Sequence, residues 1–144
     1  MSRRLNDHVT VSPQISTDDL PAIKDAGFRT VVAARHDGEA PGQPTSADMA
    51  AAAEAHGLAF LYVPMRGPEV DPADVAAFAA KLQDGPIWAY CGAGPRAVLL
   101  TSLAEILNGV SIDAVIDQAA EAGFDISPAL PLLQAYAEQK DMQS

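Results

Sequence analysis

The sequence predicts an α/β domain in which a mostly parallel central sheet is flanked by helices. Runs of β-branched and apolar residues at positions 30–34 and 58–63 alternate with helical segments, a pattern typical of parallel sheets covered by helices. Glycine or proline stands at most boundaries between these segments, where it ends a helix or a strand. A chain of 144 residues is a normal length for one hydrophobic core, so we expect a single domain over residues 1–144.

The individual strands and helices follow from local residue patterns. Short β-prone runs predict strands at residues 9–11, 30–34, 58–63 and 87–90. Capping residues and glycine stops predict helices at residues 18–26, 47–55, 72–82, 95–107, 112–122 and 127–139. Ser46, Asp71 and Ser111 are the expected N-caps of the second, third and fifth of these helices, because their side chains can accept from free backbone N–H groups.

Composition limits the classes of partner. The formal net charge is −10, which repels polyanions and argues against nucleic acid. No apolar run approaches the roughly 20 residues that span a bilayer, and no apolar leader follows the N-terminal arginines, so we expect no membrane partner and a cytoplasmic location. One cysteine and three scattered histidines do not make a metal site. We expect no metal and no other cofactor.

The run Tyr-Cys-Gly-Ala-Gly-Pro-Arg at residues 90–96 carries the strongest chemical signal. Cys91 follows the fourth predicted strand, and the small residues Gly92, Ala93 and Gly94 let the backbone N–H groups turn around its sulfur. The next helix directs its positive N-terminal end to the same point, and Arg96 can hold an oxyanion. A free cysteine usually packs as a small hydrophobic residue, but this context favours a reactive thiolate.

Two further loops should reach the same place. In parallel sheets the ligand site lies at the carboxyl ends of the strands, and loops 35–44 and 64–70 leave the second and third strands from that edge. Arg35 in the first loop could therefore add positive charge to the pocket. Candidate general acids on these loops or directly after them are Asp37, Glu39, Glu69 and Asp71. Simpler interpretations exist for Asp37, in a turn before glycine, and for Asp71, as a helix cap.

The cysteine loop resembles the active-site loop of rhodaneses and that of the phosphatase-like domain of beta-lactamase-hydrolase-like proteins. The latter are small bacterial relatives of dual-specificity phosphatases, sometimes described as sulfur transferases. Further landmarks of that second family match at residues 11–14, 27–32, 37–39, 43–44, 63–64 and 122–125. The resemblance covers nearly the whole chain. It implies a protein-tyrosine-phosphatase-like three-layer fold with Cys91 as nucleophile and Arg96 as oxyanion binder.

The loop departs from the family pattern. Members usually carry arginine, serine, glycine, threonine, arginine and serine after the cysteine, whereas Gly92, Ala93, Pro95 and Ala97 stand here in place of the polar members. Pro95 lacks an N–H group, although proline suits the first turn of a helix. These changes leave open a third interpretation besides two enzymes, namely a non-catalytic module that binds an anion or a partner.

The spacing of the loop favours sulfur transfer over phosphoryl transfer. Arg96 lies five residues after Cys91, as in rhodaneses, whereas the resemblance to tyrosine phosphatases implies a spacing of six and a wider bowl. A persulfide needs less room and fewer donors than a phosphate with three equatorial oxygens. The leading hypothesis is therefore a sulfurtransferase acting on a small anionic or persulfide substrate through Cys91. The alternative is a phosphatase that forms a cysteinyl-phosphate.

Overall fold

The computed structural model describes residues 2–142. Its strands are β1 (Arg3–Arg4), β2 (Val9–Ser12), β3 (Thr30–Ala33), β4 (Ala59–Tyr62) and β5 (Ile87–Tyr90). Its α-helices are α1 (Leu20–Asp25), α2 (Ser46–Ala55), α3 (Pro72–Lys81), α4 (Pro95–Leu107), α5 (Ile112–Glu121) and α6 (Leu130–Met142). Single 3₁₀ turns, Thr17–Asp19 and Ser127–Ala129, precede α1 and α6.

The five strands form one sheet in the order β1-β2-β5-β3-β4. The pairs β2–β5, β5–β3 and β3–β4 are parallel, and only β1 runs antiparallel, against β2. The predicted fold class, a mostly parallel sheet flanked by helices, is confirmed. The short strand β1 was not predicted, because a two-residue polar strand carries no hydrophobic period.

Two hydrophobic layers cover the two faces of the sheet. Successive side chains of a strand point to opposite faces, so Val32 packs with the core formed by α3 to α6, whereas Val31 packs with the core formed by α1 and α2. The thicker layer is built around α4, in which every residue from Ala97 to Ile106 is buried. A helix that is buried on all sides is typical of a central position. The start of this helix is therefore fixed firmly against the sheet.

The predicted N-caps are confirmed at two helices and wrong at one. Asp71 accepts from Ala73 N–H at 2.9 Å and Ser111 accepts from Ala114 N–H at 3.1 Å, as expected of N-caps. At α2 the cap is Thr45 rather than Ser46, and the Thr45 hydroxyl accepts from Asp48 N–H. Ser46 is instead held by Asp37, whose carboxylate accepts from the Ser46 N–H and hydroxyl, both at 2.8 Å.

Four strands end together at one edge of the sheet. The register places Ser12 and Ala33 opposite Tyr90, and Ala33 opposite Tyr62. The segments that follow these residues therefore leave from the same edge, as the parallel order requires. Within residues 2–142, no helix combines the length and the apolar character needed to cross a membrane.

Candidate active site

Cys91 lies immediately beyond β5 and is completely buried. Its backbone N–H donates to the carbonyl of Ser12 at 3.3 Å, which continues the parallel pairing with β2 by one residue. Its sulfur accepts a hydrogen bond from the backbone N–H of Gly94 at 2.9 Å. Gly94 adopts a φ of 113°, a conformation that residues with a Cβ rarely adopt. The glycine therefore allows the chain to turn its N–H onto the sulfur just before α4 begins.

Arg96 lies in the first turn of α4, and both terminal nitrogens of its guanidinium donate hydrogen bonds. Nη1 donates to Glu39 Oε2 at 2.7 Å and to the carbonyl of Met65 at 2.8 Å, and Nη2 donates to Glu39 Oε1 at 2.8 Å. The bond to Glu39 raises the pKa of Arg96, and the neighbouring Cys91 adds to this effect. The fork of the guanidinium therefore binds a carboxylate in the bidentate geometry that suits oxyanions.

Arg35 contributes a second guanidinium to the same carboxylate. Its Nε donates to Glu39 Oε1 at 3.0 Å, and its Nη1 donates to Gln14 Oε1 at 2.9 Å. Gly92 lies against both arginines, because a Cβ at this position would be 3.3 Å from Arg96 Nη2 and 3.7 Å from Arg35 Cζ. The loops after β3 and β5 thus bring two cations together beside the cysteine loop.

Glu39 is the anion that occupies this cationic pair. Hydrogen bonds from Arg96, and to a lesser extent from Arg35 and the His36 N–H, hold its pKa at about 2, against an ordinary value of 4.5. Glu39 is therefore ionised at neutral pH and has no proton to give to a leaving group. The sequence indicated this residue only as a candidate acid, and its role as partner of Arg96 was not predicted.

Comparison with known proteins identifies the family. The family model described as "Beta-lactamase hydrolase-like protein, phosphatase-like domain" matches residues 2–108 of this sequence. This chain belongs to that family. A beta-lactamase hydrolase-like protein of Agrobacterium fabrum is 35% identical over 134 residues, which are 91% of this chain and 31% of that protein. The family predicted from the sequence is confirmed, and the chain spans about a third of the length of the curated relatives that it matches.

Solved structures place this family member on a phosphatase-like scaffold. A protein of Neisseria meningitidis described as a candidate phosphatase matches with a TM-score of 0.74 and 27% identity, covering 93% of this chain and 96% of that one. PTPMT1 matches with a TM-score of 0.79 and 13% identity, covering 99% of this chain and 98% of that one, a likeness that concerns the fold alone. The domain therefore has the scaffold of cysteine-based phosphatases, and its family supports an enzyme of that type.

The other candidate acids have structural partners in this phosphatase-like domain. Asp37 accepts from both polar groups of Ser46, and its own N–H donates to the hydroxyl of Tyr62 at 3.1 Å. Asp71 caps α3. Glu69 is exposed, and its backbone pairs with that of Arg66. The carboxylates of Asp37 and Asp71 thus stabilise the loops and helices in which they occur.

The tip of the cysteine loop is open to solvent. Ala93 is exposed, whereas Gly94 is buried. The N–H that donates to the Cys91 sulfur is that of Gly94, the third residue of the loop. Next to Arg96 lies a groove of about 300 Å³, with walls that include Pro68, Leu99 and Ile126. Such a groove is suited to an apolar organic group bound beside Arg96. Across residues 2–142, the acidic, histidine and cysteine side chains form no group of three that could hold a metal ion.

Proposed function

We propose that this domain transfers sulfane sulfur through a persulfide formed on Cys91. The observation that carries the proposal is the short step from Cys91 to Arg96, in which the buried sulfur accepts directly from the Gly94 N–H. A backbone donor aimed at a sulfur stabilises negative charge on it. Arg96 and Arg35 supply the positive charge that an anionic donor needs for binding. The substrate is accordingly a small anion or a persulfide.

The reaction needs two displacement steps and no oxidant. The Cys91 thiolate attacks the outer sulfur of a donor, the bond from that sulfur to the rest of the donor breaks, and the leaving group departs with the electron pair. With thiosulfate the leaving group is sulfite, and with an organic persulfide it is a thiolate. An acceptor thiolate then attacks the outer sulfur of the Cys91 persulfide, takes that sulfur and releases the Cys91 thiolate.

The state of the neighbouring carboxylates supports sulfur over phosphorus. Hydrolysis of a phosphomonoester usually requires an acid that protonates the leaving oxygen. Glu39, the carboxylate bound to Arg96, is ionised at neutral pH because its pKa is about 2, and Asp71 is engaged at the start of α3. Sulfite and thiolate leave without prior protonation, so transfer of sulfur does not depend on either group.

Intact mass spectrometry tests the proposal directly. The reduced protein is incubated with glutathione persulfide and, separately, with thiosulfate, and the expected result with at least one of the two donors is a gain of one sulfur atom that a thiol acceptor then removes. Cys91→Ser is expected to abolish the gain, while a variant at an exposed residue remote from the loop, Glu121→Gln, should retain it. No gain with either donor, in protein shown to be folded, would contradict the proposal.

A second candidate function is phosphomonoester hydrolysis through a cysteinyl-phosphate. It is favoured by the phosphatase-like family and by the phosphatase-like scaffold. Turnover of an aryl phosphate, lost in both Cys91→Ser and Arg96→Ala, would support it. If neither sulfur gain nor phosphate turnover is observed, the third hypothesis gains weight, in which the loop with Pro95 and Ala97 binds an anion or a partner without catalysis.

A further inference from the structure

The ion pair between Glu39 and Arg96 occupies the position that a bound oxyanion would take. Both Glu39 oxygens accept from the fork of Arg96, at 2.7 and 2.8 Å, and Oε1 also accepts from Arg35 Nε at 3.0 Å. This is the paired geometry by which arginine binds carboxylate, sulfate or phosphate groups. A substrate oxyanion that used the same fork would have to displace Glu39.

Glu39 competes with any such ligand from within the chain. Because a tethered group has a high effective concentration, free anions displace it only when they bind the arginines much more strongly. The side chains of Glu39, Arg96 and Arg35 are 26%, 20% and 12% exposed, so their charges are only partly screened by solvent. Together the three side chains carry one net positive charge, which matches a singly charged anion better than a dianion.

We propose that Glu39 is a specificity-determining residue, which holds Arg35 and Arg96 and thereby selects sulfur donors whose reacting group carries a single charge over oxyanions that carry two or more charges. The excluded class includes phosphate and thiosulfate, and the favoured class consists of organic persulfides. The assignment to sulfur donors rests on the proposed function, whereas the exclusion of multiply charged oxyanions follows from the ion pairs alone.

The charge balance of the displacement step gives the physical reason. When Cys91 attacks the outer sulfur of R–S–SH, one thiolate with a single negative charge leaves with the electron pair of the broken S–S bond. The cluster of Arg35, Arg96 and Glu39 neutralises that charge. When thiosulfate reacts, the leaving sulfite carries two charges, and only the two arginines without Glu39 would balance them.

Inorganic phosphate is the probe for the first measurement, which needs no sulfur chemistry. Isothermal titration at a pH above the second pKa of phosphate, where phosphate is a dianion, compares the wild-type protein with Glu39→Gln, which removes the charge while keeping the size of the side chain. Glu54→Gln, at an exposed position near the end of α2, is the matched control for net charge. We expect phosphate to bind Glu39→Gln at least roughly tenfold more tightly than wild type, and Glu54→Gln to behave as wild type.

The second measurement follows sulfur loading of Cys91 by intact mass. Glu39→Gln is expected to load faster than wild type from thiosulfate, and the ratio of its loading rates with thiosulfate and with glutathione persulfide should exceed that of wild type by roughly tenfold or more. Phosphate should inhibit loading of Glu39→Gln and leave that of wild type nearly unaffected. If Glu39→Gln binds phosphate more tightly than wild type but neither protein is loaded by any donor, the charge selection by Glu39 is supported and the proposed sulfur transfer is refuted.

Three outcomes would overturn the inference. One is an equal phosphate affinity of the wild-type protein and folded Glu39→Gln. Another is an equal gain in Glu54→Gln, which would reveal an effect of net charge only. The third needs no variant, since tight phosphate binding by the wild-type protein at micromolar concentration would show that Glu39 does not exclude the dianion. Glu39→Ala repeats the test if the glutamine variant does not fold.

Discussion

The backbone N–H of Gly94 donates to the sulfur of Cys91 at 2.9 Å, across one turn of the loop. Gly94 is also the residue from which α4 begins, with a positive φ of 113°. One glycine thus directs a donor at the sulfur and starts the helix that bears Arg96. The electrostatics of the thiol consequently depend on a backbone conformation as well as on a charged side chain.

Gly94→Ala should reduce the sulfur-loading rate of Cys91 and, to a lesser extent, the stability of the fold. Alanine at this φ is strained, at a cost of about 1–3 kcal/mol, and its Cβ would lie 3.2 Å from Phe124 Cζ. We expect a lower melting temperature and a sulfur-loading rate reduced by roughly tenfold, because the loop relaxes away from the sulfur. Intact mass and thermal unfolding measure the two effects.

Gly109→Ala is the matched control for this prediction. Gly109 follows α4 with a φ of 98° and has open space where a Cβ would lie, so the backbone strain is similar but remote from Cys91. It should lower stability and leave sulfur loading unchanged. If both variants lose loading to the same extent, the effect is one of stability, and the Gly94 donor has no specific importance.

Asp71→Asn distinguishes the sulfur and phosphate hypotheses. Asparagine caps helices about as well as aspartate, so the bond to the Ala73 N–H and the stability of α3 should be retained. Sulfur loading is expected to remain at the wild-type rate, because transfer between sulfurs requires no proton from Asp71. A large loss of aryl phosphate turnover in this variant would instead identify Asp71 as a general acid. Thermal unfolding shows whether the cap is kept.

The contribution of Glu39 to stability should depend on pH. Its pKa is about 2 in the folded protein, below the ordinary 4.5, so the folded state favours the ionised form. The stabilisation is therefore complete above pH 4.5 and is lost as the pH falls towards 2. Glu39→Gln should be less stable than wild type by about 1–2 kcal/mol at neutral pH, and the difference should shrink at pH 3. Urea unfolding at several pH values measures it, and a constant difference would contradict the ion pairs with Arg35 and Arg96.

A buried polar network away from the site should dominate the stability of the N-terminal turn. Glu105 accepts from Asn6 Nδ2 and from Gln118 Nε2, both at 2.8 Å, and burial raises its pKa. Glu105→Ala leaves Gln118 Nε2 without this acceptor and leaves Asn6 Nδ2 with Gln118 Oε1, at 2.9 Å, so we expect a loss of about 1–3 kcal/mol with sulfur loading intact. Glu121→Ala, at an exposed position of α5, is the control. Equal unfolding midpoints for the two variants would contradict this role.

Local patterns in the sequence were sufficient for most of the fold. Alternating apolar runs predicted the four parallel strands, and the caps Asp71 and Ser111 were read from residues adjacent to their helices. The predicted N-cap of α2 was wrong because two adjacent residues have suitable side chains. Thr45 and Ser46 both suit a cap, and the choice between them depends on Asp37, nine residues away, which captures Ser46.

The candidate site divides in the same way. Cys91, Gly94 and Arg96 lie within six positions of one another, so their spacing alone predicted a loop that brings a donor and a guanidinium to a sulfur. Glu39 lies 57 positions from Arg96, and nothing in its neighbourhood along the chain distinguishes it from the other acids of its loop. Its role was not predictable without the register of β3 and β5.

The sequence by itself determined the order of strands and helices, the family and the cysteine loop, because caps, periodicity and loop length act between residues a few positions apart. The tertiary structure decided which charges meet. Parallel pairing brings the ends of β3 and β5 to one edge, and there two arginines from different loops share the carboxylate of Glu39. Such pairings depend on distances in space, and those distances exist only once the sheet has assembled.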